Sequence, residues 1–281
     1  STFPHFHIST FPHFHINSFR YLHTMTVINL SSLRKQYSGN YVLKGINLSF
    51  DPGQIVGYIG PNGAGKSTTI KILTGILPDF EGEATVLGMD IRKEAMEIKK
   101  RIGYIPEQAA LYDVLTPLEF LEFIGSLYSI SKEDVHRKSM ELLRLFELQN
   151  QAENRMNSFS KGMKQKVLLI SGLLHNPEII FLDEPLSGLD ANAVILVKEI
   201  LQQLKQAGKT IFYSSHIMDV VEKISDRIVI INKGEVIADG TFESLKNSAH
   251  QGSLENIFTS LTGNDEQKST AGAFIDVLKN G

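Results

Sequence analysis

The pattern of hydrophobic and polar positions divides the chain into strand-rich and helix-rich stretches. Near the beginning, two strand-like runs are separated by the turn residues Ser38-Gly39-Asn40, which predicts an antiparallel pair. A third apolar run leads directly into a glycine-rich loop, and apolar residues at helical spacing follow that loop. The predicted strands cover 27–33, 42–50 and 54–59, and the apolar stripe of the helix comprises Ile70, Leu73 and Leu77.

Farther along, the pattern is helical from about 115 to about 157 and then alternates between helices and strands. The helical stretch contains no strand candidate, so we expect it to be an insertion. Alternation of helices and strands predicts a parallel sheet that is covered by helices. The alternating units are a helix from Ser160, a strand at 178–182, a helix at 191–206, a strand at 210–214, a helix near Met218, a strand at 227–231, a hairpin at 232–235 and a last strand at 236–238.

The two ends differ from the rest of the chain. The octapeptide Ser1–Ile8 is repeated letter for letter in residues 9–16. Its His-x-His pairs could bind a metal, but its position and composition favour an unstructured leader that is foreign to the functional chain. The end of the chain is polar and predicts short helices. The expected organisation is a leader, a main domain and a short helical tail, over residues 1–24, 25–245 and 246–281.

Composition narrows the classes of function. Hydrophobic residues make up 42% and charged residues 21% of the 281 residues, which is ordinary globular usage. A formal net charge of -3 gives no general attraction to nucleic acid, so no nucleic-acid partner is expected. The absence of cysteine excludes disulfides, thiolate metal sites and cysteine nucleophiles, and it agrees with a reducing compartment. No apolar run is long enough to span a bilayer, so any membrane role requires a partner.

The glycine-rich loop carries a phosphate-binding pattern, G-x-x-x-x-G-K-S/T. Glycines allow backbone N–H groups to turn towards phosphates, and the N-terminus of the following helix attracts an anion. We expect Lys66 to reach the β- and γ-phosphates and the Ser67 hydroxyl to ligate Mg²⁺. By itself, this cradle predicts a nucleoside-triphosphate site without identifying the class of machine. The predicted cradle comprises Gly60, Pro61, Asn62, Gly63, Ala64, Gly65, Lys66, Ser67 and Thr68.

Two carboxylates follow a second apolar strand. The run Ile179–Leu182 leads into Asp183 and Glu184, and Pro185 closes the segment. Because adjacent residues of a strand point to opposite faces, we expect the two acids to have different roles. Asp183 is the candidate Mg²⁺ ligand, and Glu184 is the candidate general base that polarises an attacking water. In a chain that carries a phosphate cradle, these roles are favoured over those of solvated strand caps.

The segment Ser158–Gln165 reads Ser-Phe-Ser-Lys-Gly-Met-Lys-Gln and is similar to the signature loop of ABC ATPases. The resemblance covers about residues 25–263. It implies an α/β fold of the P-loop NTPase type, the ABC ATPase cassette, with a parallel-core sheet, an antiparallel N-terminal β subdomain and a helical insertion at about 115–157. The other motifs that match the family, in the family's order, are Tyr37, the cradle, Gly103–Pro106, the two carboxylates, Ser187–Asp190 and His216.

The resemblance also implies that two such domains close head to tail around two ATP molecules, so that each site is shared. Ser160 and Gly162 would then contact the γ-phosphate bound by the other subunit, although a serine at a helix start is by itself an ordinary cap. His216 matches the switch histidine that contacts the γ-phosphate and holds Glu184 and water in line. Asp190 matches the loop that communicates between the two sites, and it could equally cap the helix that begins there.

Two assignments stay open. Tyr37 matches the aromatic residue that stacks on adenine, and the alternative is an ordinary tyrosine at a strand end. The family usually places glutamine directly after Gly-Tyr-x-Pro, where this chain has Glu107 and then Gln108. Counting back from Leu111-Tyr112 favours Glu107, whereas a shift by one residue restores Gln108. Either side chain would approach Mg²⁺ or water.

The signature variant and the tail Ser253–Gly263 resemble those of ATPases in ABC-2 exporters, which pair with a separate transmembrane permease. The resemblance implies a peripheral subunit on the cytoplasmic face of the cell membrane that hydrolyses ATP with Mg²⁺, powers export and pairs with a second ATP-binding subunit. The second hypothesis is an ABC ATPase that acts on ribosomes or DNA. Ribosomal members carry two cassettes and DNA-associated members a long coiled coil, whereas this sequence has one cradle and no such heptad array. A purely regulatory module would be expected to lack Glu184.

Overall fold

The computed structural model describes residues 26–107, 111–263 and 278. In this part of the chain, ten strands form two sheets. The strands are β1 (Ile28–Tyr37), β2 (Asn40–Phe50), β3 (Ile55–Ile59), β4 (Glu81–Val86), β5 (Met89–Asp90), β6 (Ile102–Ile105), β7 (Ile179–Asp183), β8 (Thr210–Ser214), β9 (Arg227–Asn232) and β10 (Glu235–Gly240). The smaller sheet is antiparallel, with the order β2-β1-β4-β5. The larger sheet has the order β10-β9-β3-β8-β7-β6 and is parallel except for its edge strand β10.

Nine α-helices are found in the described residues. They are α1 (Lys66–Leu73), α2 (Ala95–Arg101), α3 (Pro117–Leu127), α4 (Lys132–Leu145), α5 (Lys161–Leu173), α6 (Ala191–Gln206), α7 (Met218–Ile224), α8 (Phe242–Ala249) and α9 (Leu254–Thr262). Side chains cap the N-termini of several of these helices. Thr116 and Glu119 form a reciprocal capping box at the start of α3, and Pro117 follows the cap directly. The described residues between 115 and 157 contain helices and two short 3₁₀ turns, but no strand.

The central strands are buried on both faces, as expected for a parallel sheet that is covered on both sides. In β7, Ile180 and Leu182 belong to a core shared with the later helices, whereas Phe181 belongs to a core shared with α1 and the smaller sheet. Strand β8 divides in the same way, with Tyr213 in the first core and Phe212 in the second. Alternation of side chains along each strand therefore fixes the sheet between two apolar layers.

Most of the predicted elements are confirmed, and the differences have local causes. The helix 191–206 and the strand 210–214 have the predicted bounds, and the first two strands form the predicted antiparallel pair. Strands β4 and β5 were not predicted, because β4 reads Glu-Gly-Glu-Ala-Thr-Val and owes its conformation to pairing with β1. Leu77 lies beyond the end of α1 and is only partly buried.

The predicted leader at 1–24 and the part of the tail after Gly263, apart from Leu278, lie outside the described residues. Helix α8 crosses the predicted boundary between 245 and 246, and α9 lies within the described part of the predicted tail. Within 26–107, 111–263 and 278, no helix has the length and apolar character required to cross a membrane.

Candidate functional site

Four neighbouring parallel strands deliver the candidate site residues to one edge of the larger sheet. In spatial order these strands are β3, β8, β7 and β6, and they run in the same direction. Ligands of open α/β sheets bind at the carboxyl ends of the strands. The residues directly at or after the four ends are Gly60, Ser215 and His216, Asp183 and Glu184, and Glu107.

Two glycines of the loop after β3 lie in close contact with neighbouring atoms, one of backbone and one of a side chain. A Cβ at Gly60 would lie 2.3 Å from the carbonyl oxygen of Ile231, a distance that real Cβ atoms do not adopt. Gly65 has φ +111° at the start of α1, and a Cβ there would lie 2.5 Å from Leu43 Cδ2. No side chain caps this helix, so its first N–H groups remain available for an anion. Glycine is therefore required at both positions, and the loop presents backbone donors.

Lys66 is buried in this loop, with 8% of its surface exposed. Its Nζ donates to the carbonyl oxygen of Gly60 at 2.7 Å and to that of Pro61 at 3.2 Å. Burial lowers the pKa of the Lys66 ammonium, while the charges of Glu184, Asp183 and Glu107 oppose this effect. An ammonium has three donors, so one remains beyond the two that hold the loop. The Lys66 ammonium is therefore positioned to bind a phosphate group.

The two carboxylates occupy different backbone positions. The sequence pattern predicts that they are adjacent residues of one strand, but only one of them belongs to the strand. Strand β7 ends at Asp183, which is 3% exposed. Glu184 lies after the strand with φ +50°, in the left-handed region that non-glycine residues seldom adopt. Its N–H donates to the carbonyl oxygen of Ser214 at 3.0 Å. A backbone turn, rather than the pleat of a strand, therefore separates the directions of the two side chains.

Glu184 contacts two groups from the segment after β8. His216 Nδ1 lies 2.8 Å from Glu184 Oε2, and the Ser215 hydroxyl donates to the same oxygen at 3.4 Å. Ser215 is 1% exposed, and its oxygen also accepts the N–H of Ile217 at 3.0 Å. The His216 side chain is 68% exposed, in contrast to 12% for Glu184. A mostly buried carboxylate is thus held by a histidine that can still reach a ligand.

One cavity of about 500 Å³ brings together most of the predicted phosphate and metal residues. Its lining combines residues of the cradle with three acidic side chains. The lining residues are Val42, Asn62, Gly63, Gly65, Lys66, Ser67, Thr68, Glu107, Asp183, Glu184 and His216. Glu107 lines the same cavity as Asp183 and Ser67. Gln108, the alternative to Glu107, lies outside the described residues.

The signature segment lies at the start of α5, outside the lining of this cavity. Ser160 caps the helix, since its hydroxyl accepts the N–H of Met163 at 3.2 Å. A Cβ at Gly162 would lie 2.6 Å from the carbonyl oxygen of Gly188, so glycine is required for this close approach. Lys161 Nζ donates to the Ser187 hydroxyl at 2.7 Å. The signature segment is thereby joined to the loop that follows Glu184.

Asp190 and Tyr37 are also absent from the described lining of the cavity. Asp190 caps α6, because its Oδ1 accepts the N–H of Ala193 at 2.9 Å, and this bond contributes most to the lowered pKa of Asp190. Tyr37 is the last residue of β1 and is 45% exposed. Its strand pairs with β2, which contributes Val42 to the cavity.

Two residues near the site were not identified from the sequence. Val42 lines the cavity from β2, and nothing in its sequence context distinguishes it from other strand valines. Ser215 contacts Glu184, and its position next to His216 was the available signal. Both contacts depend on residues that are distant in sequence.

The sequence and the fold are similar to those of known proteins. The ABC transporter family model matches residues 43–187. The linearmycin resistance ATP-binding protein LnrL of Bacillus subtilis (strain 168) is 38% identical over 215 residues, which are 76% of this chain and 69% of LnrL. A solved ATP-binding subunit of an ABC transporter has a TM-score of 0.79 at 33% identity and covers 84% of this chain and 99% of its own.

A second solved structure is a dimeric, post-hydrolysis state of an ATP-binding cassette with bound ADP and Pi. It has a TM-score of 0.72 at 29% identity, over 76% of this chain and 98% of its own.

Proposed function

The chain belongs to the family of ABC transporter ATP-binding proteins and is an ATP-hydrolysing subunit of such a transporter, and from this premise we propose how its residues carry the reaction. Glu184 is the general base, and the cradle from Gly60 to Thr68 holds the phosphates of ATP. One observation carries the proposal. Glu184 and His216, 2.8 Å apart, share one cavity with Lys66. A base, its orienting group and a phosphate-binding cation are the parts that hydrolysis of a phosphoanhydride requires.

The cradle binds ATP through its backbone N–H groups and Lys66. The start of α1, which no side chain caps, attracts the phosphates, and the remaining donor of Lys66 contacts the β- and γ-phosphates. Lys66 is already held by two carbonyl oxygens of the loop, so little reorganisation is needed when the anion arrives. Tyr37, at the end of β1, stacks on the adenine.

Glu184 accepts a proton from the water that attacks the γ-phosphate. His216 Nδ1 donates to Oε2 of Glu184, and Ser215 donates to the same oxygen, so the carboxylate is fixed before water binds. In the imidazolium form of His216, the other ring nitrogen also carries a proton and can donate to the γ-phosphate. In this arrangement, His216 orients both the base and the group that is attacked.

Mg²⁺ fits the donors present in the cavity. Mg²⁺ is usually held by one or two carboxylates together with water and phosphate oxygens. Within the described residues, no group of three His, Cys, Asp or Glu is arranged to hold a metal alone. Ser67 and Asp183 would hold the ion, with Glu107, or Gln108 in the alternative alignment, contacting it or water. When bound, the ion supplies neutralisation of phosphate charge.

A second copy, or a related subunit, completes each site in a head-to-tail pair. Ser160 and Gly162 lie at the start of a helix that has no acidic residue in its first turn, which suits contact with the partner's γ-phosphate. The dimeric cassette among the similar structures supports the pairing of two such chains. Asp190 follows Glu184 in the same loop system and communicates between the two sites.

The transported molecule moves through a separate transmembrane permease, with this chain at the cytoplasmic face of the membrane. LnrL, a relative, is named for linearmycin resistance, which supports export. Exposed apolar side chains near α3, including Tyr112, Val114 and Leu127, offer a surface for a membrane partner. No nucleic-acid partner is proposed.

Phosphate release by Glu184→Gln tests the assignment of the base. We expect hydrolysis to fall by about 10²- to 10⁴-fold, because the amide cannot accept the proton, while ATP binding is retained. Glu178→Gln is the matched control, since Glu178 precedes the opposite end of β7 and pairs with Arg101 at the surface. Hydrolysis by Glu184→Gln at the rate of the control would contradict the proposal.

A further inference from the structure

Lys35 lies over the ring of Tyr37. Its ammonium nitrogen is 5.1 Å from the centroid of the ring, within the distance of about 6 Å at which an aromatic face attracts a cation. Lys35 is 7% exposed, whereas Tyr37 is 45% exposed. The tyrosine therefore combines a buried cation next to its ring with surface that a ligand can still reach.

The ammonium of Lys35 is fixed by the segment that precedes β4. Nζ donates to the carbonyl oxygen of Asp79 at 2.5 Å and to its Oδ2 at 3.0 Å. The Asp79 side chain is 97% exposed, so its carboxylate is well solvated without the lysine. A free lysine side chain has many rotamers, and two acceptors on one residue restrict them. The position of the charge relative to the Tyr37 ring is consequently set before any ligand binds.

The strands place this pair beside the phosphate cradle. Lys35 pairs with Leu43 on β2, and Leu43 Cδ2 packs so closely on Gly65 that a Cβ there would lie 2.5 Å away. Val42, the neighbour of Leu43, lines the phosphate cavity. One strand therefore separates Lys35 from the glycine at which α1 begins.

We propose that Lys35 is a positioning residue for adenine recognition, which holds the Tyr37 ring in the orientation that stacks on the base. This inference rests on the proposed stacking role of Tyr37 and adds the group that orients it. Fixing the ring in advance reduces the conformational entropy that ordering it costs on binding. Lys35 thus contributes to the affinity for the base, and not to the affinity for the phosphates.

Tyr41 offers a matched control on the same hairpin. It is 43% exposed, close to the value for Tyr37, but its hydroxyl donates to Glu81 Oε1 at 3.1 Å. No lysine or arginine lies over its ring among the described residues. Replacing Tyr41 therefore removes a comparable aromatic side chain without disturbing the Lys35–Tyr37 pair.

The test compares the binding of ADP and of inorganic pyrophosphate, neither of which is turned over by the base, by isothermal titration calorimetry on the full chain. Lys35→Met keeps the length of the side chain and removes its charge. We expect it to weaken ADP binding about two- to five-fold, as a cation–π contact to a half-exposed ring predicts, and to leave pyrophosphate binding unchanged. We expect Lys35→Arg, which keeps the charge, to bind ADP as the wild type does. We expect Tyr41→Ala to leave ADP binding unchanged.

A double-mutant cycle with Tyr37→Ala separates this inference from the role of Tyr37 itself. We expect Tyr37→Ala to weaken ADP binding more than Lys35→Met does, and Lys35→Met to have no further effect in that background. If Tyr37→Ala leaves ADP binding unchanged, the stacking role is wrong and the inference fails with it. If Tyr37→Ala weakens ADP binding but Lys35→Met has the same effect in both backgrounds, or weakens pyrophosphate equally, the positioning role of Lys35 alone is overturned.

Discussion

Replacing Gly162 with alanine sets two opposing effects against each other in the first turn of α5. Alanine is favoured over glycine by about 1 kcal/mol inside a helix, so propensity alone predicts a more stable protein. Against this, the new Cβ would lie 2.6 Å from the carbonyl oxygen of Gly188, closer than real Cβ contacts, and the obstacle is backbone. Either the first turn of the helix or the loop around Gly188 must move.

Overpacking of this kind costs about 1 to 3 kcal/mol. After the gain from propensity, we expect the free energy of unfolding to fall by up to about 2 kcal/mol. We expect the rate of ATP hydrolysis to fall by more than the loss of folded protein alone would cause, because the displaced turn carries Ser160. Urea unfolding followed by circular dichroism measures the first quantity, and phosphate release measures the second.

Gly252→Ala is the matched control, because no atom lies within 4 Å of its Cβ and its φ is not left-handed. We expect this variant to stay within about 0.5 kcal/mol of the wild type, with normal hydrolysis. A Gly162→Ala protein that is about 1 kcal/mol more stable and fully active would show that propensity alone acts, and would refute the contact with Gly188 as a constraint.

Two further predictions concern histidines. His216→Ala should reduce the rate of phosphate release by about 10²-fold through loss of the contact with Glu184, with ATP affinity changed only a few-fold; an unchanged rate would remove His216 from the mechanism. His175 stacks on Tyr128 at 3.7 Å between ring centroids, and burial lowers its pKa from 6.5, so its neutral form is favoured in the fold. The contribution of His175 to the free energy of unfolding is complete above about pH 6.5 and is lost as the pH falls through the folded pKa. We therefore expect the free energy of unfolding in urea to differ less between about pH 7.5 and about pH 5.5 in His175→Phe than in the wild type. An equal difference in the two proteins would contradict this.

Local signals predicted the parts of the fold that depend on one segment. The apolar run Ile179–Leu182 is buried in the sheet, as predicted. Asp190 lies at the start of the helix that was predicted over 191–206. Strand β4 could not be predicted in this way, because charged residues interrupt its apolar pattern and β1 supplies its hydrogen bonds. The hydrophobic pattern therefore predicted the helices and the central strands, but not all strands of the smaller sheet.

The candidate site shows the same division. The spacing of the cradle and the position of the acids indicated Lys66 and Glu184, since both belong to short motifs. The left-handed backbone of Glu184 was not predicted, because it is set by the hydrogen bond to the Ser214 carbonyl on a neighbouring strand. The contact between Lys35 and Asp79 joins residues 44 positions apart and has no local signature.

We propose that the cradle of one copy is completed by the signature segment of another. Phosphate release by a mixture of two inactive variants, Lys66→Ala and Ser160→Ala, tests this shared site. In a head-to-tail pair of the two variants, one site contains both changes and the other site contains neither. Since random pairing makes about half of the dimers mixed, we expect the mixture to recover about a quarter of wild-type phosphate release, while each variant alone remains inactive. No recovery on mixing, with mixed dimers shown to form, would contradict the shared site.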